Sequence, residues 1–138
     1  MELYEKFKVE IVTPEKVIYA DEVEMVVVPG EVGEFGVMAS HIPIVSSIKA
    51  GFISLYEKGQ VKDRLFVADG FVEVTDSGTV VLVDRAYAAL NVKITEIEKI
   101  ILNLEKSKNV DLKDFDNILL EKDIEFYNML IDAVQHTR

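Results

Sequence analysis

Pro29-Gly30-Glu31-Val32-Gly33-Glu34-Phe35-Gly36-Val37-Met38-Ala39-Ser40-His41-Ile42-Pro43, continuing through Ile44-Val45-Ser46-Ser47-Ile48-Lys49-Ala50-Gly51, is the stretch around which the chain is arranged. Three glycines stand three residues apart at Gly30, Gly33 and Gly36, and one of the two histidines, His41, follows with a proline two positions on. The stretch can be a ligand loop, a catalytic loop or a rigid surface for another protein. Its neighbours limit the choice. On both sides the chain reads as short strands, and helical periodicity appears only near the end.

Upstream, Phe7, Val9 and Ile11 alternate with Lys8 and Glu10, the period of two of a half-buried strand. Thr13-Pro14-Glu15-Lys16 is turn chemistry, because proline fixes φ and lacks a ladder donor. Val17-Ile18-Tyr19 predicts a short strand. Val23, Met25 and Val27 predict another, which Pro29-Gly30 stops. Downstream, strands are predicted at Ile44–Lys49, Phe52–Glu57, Arg64–Ala68, Phe71–Thr75 and Thr79–Val83, separated by Ala50-Gly51, Lys58-Gly59, Asp69-Gly70 and Asp76-Ser77-Gly78. Thr79–Val83 has no polar face and is expected at the centre of the sheet, covered on both sides. Many short strands with no intervening helix predict an all-β sandwich over residues 1–85 and argue against a βαβ nucleotide fold.

From Val92 the period changes. Ile94, Ile97, Ile101 and Leu104, widened by Ile100, make a helical stripe that ends at Ser107-Lys108-Asn109. Asp111 is the expected N-cap of a second helix, with Asp114 in its first turn. That helix carries one stripe of Leu112, Phe115, Leu119, Phe126 and Leu130. A second stripe holds Leu120, Ile124, Tyr127, Ile131 and Val134. Residues 86–138 therefore predict an antiparallel two-helix hairpin. One stripe packs on the first helix; the other meets either the β-domain or a partner.

The 138 residues are 49% hydrophobic and 29% charged, with a formal net charge of −10 and no cysteine. That composition describes a folded chain, and it removes disulfides, zinc-thiolate sites and cysteine nucleophiles. Residues 1–85 hold 15 acids and 8 bases, and residues 86–138 hold 10 and 7. Both halves repel polyanions and anionic lipid, so neither nucleic-acid binding nor direct membrane insertion is expected. The start is not a signal peptide, and no apolar run is long enough to span a bilayer.

The glycine spacing is neither a phosphate loop, for want of Gly-Lys-Ser/Thr and a following helix, nor the dinucleotide pattern. Ser40 adjoins His41 too closely to face its ring nitrogen, and no nucleophile elbow is present. Two histidines among scattered acids lack metal-site spacing. Glu22 and Glu24 read as solvated charge on one exposed strand face. The expectation is no catalytic residues, no metal site and no cofactor: a binding module, with its glycines permitting positive φ in a tight loop.

The ordered motifs resemble those of the epsilon subunit of bacterial and organellar rotary, F-type ATP synthases. Gly33-Glu34-Phe35-Gly36-Val37, His41-Ile42-Pro43-Ile44-Val45 and Ile48-Lys49-Ala50-Gly51 carry the likeness. So do Val12-Thr13-Pro14, the run Phe66–Val74 and Val81-Leu82-Val83-Asp84. The resemblance implies a central-stalk rotor subunit that binds gamma, rests on the c-ring and joins proton-driven rotation to ATP synthesis on other subunits. It implies a peripheral location on the cytoplasmic face of a bacterial inner membrane or its organellar equivalent. Glu31, Val32, Gly33 and Glu34 are then the candidate c-ring contact. His41, placed at the same end, is a weaker candidate for gamma or the ring. The catalytic beta subunits are a further candidate partner of the hairpin.

Departures accompany the likeness. Ala39-Ser40-His41 replaces Pro-Gly-His, and Ile-Lys-Pro-Gly has become Ile-Lys-Ala-Gly. The family's ATP-binding motif is not kept at Val92, Lys93 and Glu96, where acid and arginine are replaced by opposite charges, which argues against ATP binding. From Leu112 to Arg138 six acids stand against three bases, whereas inhibitory members carry a basic second helix. A weakly inhibitory or non-inhibitory hairpin is expected. The alternative is a nucleotide-responsive regulator whose hairpin inhibits ATP hydrolysis.

Overall fold

The computed structural model describes residues 5–108 and 114–137. Ten strands come first: β1 (Phe7–Val12), β2 (Val17–Val23), β3 (Met25–Gly30), β4 (Gly33–Val37), β5 (Ile44–Ile48), β6 (Gly51–Glu57), β7 (Gln60–Val67), β8 (Gly70–Thr75), β9 (Gly78–Val83) and β10 (Ala86–Ala88). They lie in the order β10-β7-β6-β3-β5-β8-β9-β1-β2, with β4 paired to β3. β3 and β5 are joined only through Gly30 and Ile48. The sheet folds at that junction into two layers, the sandwich expected from the strand pattern. All pairings are antiparallel except β1 with β9.

Val9, Ile11, Val28, Ile53, Leu55 and Val72 fill the space between the layers with no exposed surface. Burying each side chain of this size stabilises the fold by about 1.5–3 kcal/mol. At the seam opposite Gly30–Ile48, the Glu24 N–H donates to the Tyr56 carbonyl. The Lys62 ammonium bonds Asp21 at 2.7 Å, and Lys6 pairs with Glu57. The Lys62 bond and the Glu22 N–H hold Asp21 below the usual carboxylate range. Lys6 does the same for Glu57, and the bond to Asp21 raises Lys62. Burial, followed by the facing Asp63 and Asp21, pushes the Tyr19 phenol well above its ordinary value.

Several expectations are corrected. Pro29-Gly30 does not stop the third strand, because Pro29 sits where its missing N–H is not needed; its carbonyl accepts from Lys49 at 2.9 Å. The run from Val23 to Val27 is broken at Glu24, which is not solvated: it is 5% exposed, and its Oε1 accepts the Lys58 N–H at 2.6 Å. Thr79–Val83 is central but not covered on both sides. Thr79, Val81 and Val83 face the core while Leu82 is 52% exposed. Ala86–Ala88 pairs with Leu65–Val67, so the β-unit continues past Arg85, and the chain divides between Ala88 and Ala89.

The second unit holds a 3-10 turn (Ala89–Asn91), α1 (Ile94–Ser107) and α2 (Asp114–Thr137). The helices run antiparallel: Lys108 at the end of α1 reaches Glu121, while Ile94 shares a groove with Ile131 and Gln135. Asn109, Asp111, Leu112 and the side chain of Phe115, named in the expected break, cap and stripe, lie outside the described residues. The buried side of α2 draws on both expected stripes, through Phe126 and Leu130 from one and Ile124, Tyr127 and Val134 from the other. Leu119 is exposed. Among the described residues no helix is long and apolar enough to cross a membrane.

Candidate functional site

β3 and β4 form a hairpin whose tip is Glu31-Val32 and whose register sets Gly30 opposite Gly33 and Val26 opposite Val37. The glycine-rich stretch is thus largely strand. Only Gly33 takes a positive φ, at 146°. Gly30 and Gly36 serve close packing instead. A Cβ on Gly30 would stand 2.8 Å from the Gly33 carbonyl oxygen, and one on Gly36 would stand 3.3 Å from the Met25 sulfur. The tip presents Glu31, Val32, Gly33 and Glu34 to solvent, Val32 completely. An apolar side chain between two carboxylates at a stiff hairpin tip can dock a protein surface, while the two carboxylates repel phosphate.

His41 is not at that end. β4 carries the chain about 13 Å away from the tip at the usual rise per residue. Met38 and Ala39 then line a cleft with Lys8, Glu22 and the Thr75–Thr79 turn. Gly30 belongs to the opposite end, with Ile48, Gly70 and Val83. This distance is not legible in the sequence, where the intervening residues read as loop rather than as a straight strand. The His41 N–H donates to the Met38 carbonyl at 2.9 Å, and its Nδ1 lies 2.7 Å from the Ile42 carbonyl, an acceptor for a ring N–H. The backbone N–H thus closes a turn, and the imidazole is held against the carbonyl of the next residue.

The motif positions Val92, Lys93 and Glu96 fall just before and in the first turn of α1. Lys93 is the N-cap residue by position and makes no side-chain cap bond. The groove between α1 and α2 is lined by Ile94, Ile101, Leu102 and Ile131 with Glu98 and Glu105 on one wall. Carboxylates there repel a polyphosphate. Among the described residues no cluster of three or more metal-ligating side chains occurs.

One surface had no counterpart in the sequence reading. On the outer face of the layer β5-β8-β9-β1-β2, register aligns Phe71, Leu82, Val12 and Val17 across four adjacent strands. Phe71 is 57% exposed and Val17 52%. The apolar run Thr79–Val83 was the available signal, but it does not distinguish cover by the chain itself from cover by another chain.

A rigid β-sandwich with an acidic hairpin tip, a bare apolar stripe and an appended helical pair defines a protein-docking subunit. Residues 6–89 match the family model described as ATP synthase, Delta/Epsilon chain, beta-sandwich domain. The ATP synthase epsilon chain of Granulibacter bethesdensis is 36% identical over 131 residues, covering 92% of this chain and 96% of that one. The epsilon chain of Rhodospirillum rubrum is 49% identical over 78 residues, 56% of this chain and 58% of its own length. In fold, the chain resembles a chain in the structure of the Euglena gracilis mitochondrial ATP synthase OSCP/F1/c-ring (TM-score 0.66, 16% identity, 99% of this chain and 84% of that one). It also resembles one in the Tetrahymena thermophila central stalk/c-ring structure (TM-score 0.55, 11% identity, 97% of each). The chain belongs to the ATP synthase epsilon chain family, whose members are non-catalytic subunits.

Proposed function

We propose that this chain is a central-stalk subunit of a proton-translocating ATP synthase, joining the gamma subunit to the c-ring so that ring rotation reaches the catalytic head. The observation that carries the reading is the hairpin tip Glu31–Glu34, exposed and acidic, held at one end of a register-locked sandwich of this family. We assign that tip to the c-ring and the opposite end, with His41, to gamma. In the complex the chain lies against the membrane-embedded ring, on the cytoplasmic face in a bacterium, without entering the bilayer.

Glu34→Cys in an assembled, coupled enzyme tests the tip. A cross-link to the c-ring is expected, and its absence would overturn the assignment. The hairpin is assigned no inhibitory role and no nucleotide. The acids of α2 disfavour docking on an acidic catalytic head, and Glu98 and Glu105 disfavour ATP in the interhelical groove. Removing residues 89–138 should leave ATP hydrolysis within about twofold, since no inhibitory contact is lost; a several-fold rise refutes this part. Millimolar ATP should not shift the melting of the full chain, because a ligand of the folded state must raise its stability.

A further inference from the structure

The groove between the two helices has a chemistry that the stalk role does not use. On α1, Ile94, Glu98, Ile101 and Glu105 follow one another at spacings of four, three and four, so they form one contiguous row. Across the groove, Asn128, Ile131 and Gln135 make the facing row of α2. The two carboxylates are seven residues apart, which at the helical rise sets their α-carbons about 10.5 Å from each other. Between them the floor is aliphatic, and Leu102, 54% exposed, stands at the rim. Among the described residues, neither carboxylate is held by an ion pair and neither amide by a side-chain hydrogen bond.

That arrangement selects its ligand. Two carboxylates so far apart do not share one metal ion, whose oxygen ligands stand within about 2.6 Å of it. Anions are repelled by both. A partner protein needs about 800 Å² of interface per side, whereas the groove, at about 360 Å³, has the size of a small-ligand site. What fits is an extended aliphatic chain with an ammonium at each end. We propose that the interhelical groove binds a linear polyamine whose terminal ammonium groups pair with Glu98 and Glu105 while its methylenes lie along Ile101 and Ile131. Each ammonium carries three donors, so protons not taken by glutamate are free for the amide oxygens of the facing wall. Because the carboxylates belong to α1 and the amides to α2, the bound chain ties one helix to the other. The proposal is independent of the stalk reading.

Calorimetric titration of the purified full chain with 1,8-diaminooctane, whose nitrogens stand roughly 11 Å apart when extended, tests the site. One site is expected, about tenfold tighter than for 1,4-diaminobutane, which buries fewer methylenes and cannot span the two carboxylates. Spermidine, of the same length as the longer diamine, should match it within about threefold. Glu98→Gln with Glu105→Gln changes two exposed side chains and should melt like the wild type without ligand. That double variant should bind the longer diamine about tenfold more weakly. The same diamine should raise the melting temperature of the wild type more than that of the variant, since it stabilises only the form that binds it. Equal affinity for the two diamines, or an equal effect of magnesium chloride, would show diffuse attraction to an acidic surface and overturn the proposal. So would wild-type affinity in the double variant, or no binding at millimolar diamine.

Discussion

Gly33→Ala isolates the conformational demand of the hairpin tip. A Cβ built on Gly33 meets no atom within 4 Å, so the substitution introduces no collision. What remains is the backbone: φ is +146°, a region that L side chains rarely adopt. Holding a non-glycine residue in such a region costs roughly 1–3 kcal/mol. For a β-unit of this size each kcal/mol lowers Tm by roughly 4–8 °C, so a cost of roughly 1–3 kcal/mol gives an expected drop of about 4–24 °C in a thermal melt of the full chain. Gly30→Ala is the contrasting case, because its Cβ would lie 2.8 Å from a backbone oxygen and 2.9 Å from the Phe35 ring. There packing must shift as well, and the loss should be larger. If the tip seats on the c-ring, Gly33→Ala should also reduce ATP-driven proton pumping in the assembled enzyme more than it reduces ATP hydrolysis. A wild-type Tm for Gly33→Ala would show that the glycine is not conformationally required. Equal losses of pumping and hydrolysis would remove the tip from coupling.

Three other changes bear on what keeps the two layers together. Glu24→Ala leaves the Lys58 N–H without the buried carboxylate it bonds at 2.6 Å; the expected loss is about 1.5–3 kcal/mol in urea unfolding, and a loss under about 0.5 kcal/mol would show that water replaces the acceptor. Lys58 has φ 55° beside Gly59 at 74°, a pair of left-handed residues that Asn-Gly suits best, so Lys58→Asn should raise stability by about 0.5–1 kcal/mol; a fall in Tm would contradict the turn assignment. Asp21 and Glu57 are held below their ordinary values by Lys62 and Lys6. Their stabilisation is therefore present above about pH 4 and is lost as pH falls through the depressed folded values. Lys62→Met should make the acid-induced drop in Tm between about pH 5 and pH 3 shallower, and an unchanged slope would show that the pairs do not act. Lys62 itself, raised by Asp21, contributes fully at neutral pH and loses its share only as pH rises through its folded value.

Much of the fold was legible because both periodicities are strong. The alternation of Phe7, Val9 and Ile11, the turn at Lys58-Gly59 and the spacing from Ile94 to Leu104 each have one physical interpretation. What failed had a nonlocal cause. Pro29 reads as a strand stop, yet it is tolerated where its carbonyl bonds Lys49, a residue 20 positions on. Glu24 reads as solvated, yet the carboxylate is taken by a turn 34 residues away. Glycine suggests freedom of φ, but at Gly30 and Gly36 it is absence of bulk. None of these partners is encoded in the local pattern. For the candidate site, the composition of the tip Glu31–Glu34 was legible, whereas the distance from it to His41 required knowing that Gly33–Val37 is straight.

The same limit bears on the apolar run Thr79–Val83. A strand with two apolar faces must have both covered, and intrachain burial was the only cover that a single sequence could suggest. In the structure the inner face is closed by the core while Leu82, Phe71 and Val17 stay in solvent. The outer row is therefore left open in the isolated chain. This arrangement suits a transmission element. A layer whose inner residues are fully buried and whose strands are locked in register resists shear. If the tip seats on the ring, force entering at Glu31–Glu34 can cross the layer to the His41 end without local unfolding, and the straight strand Gly33–Val37 is what separates the two ends.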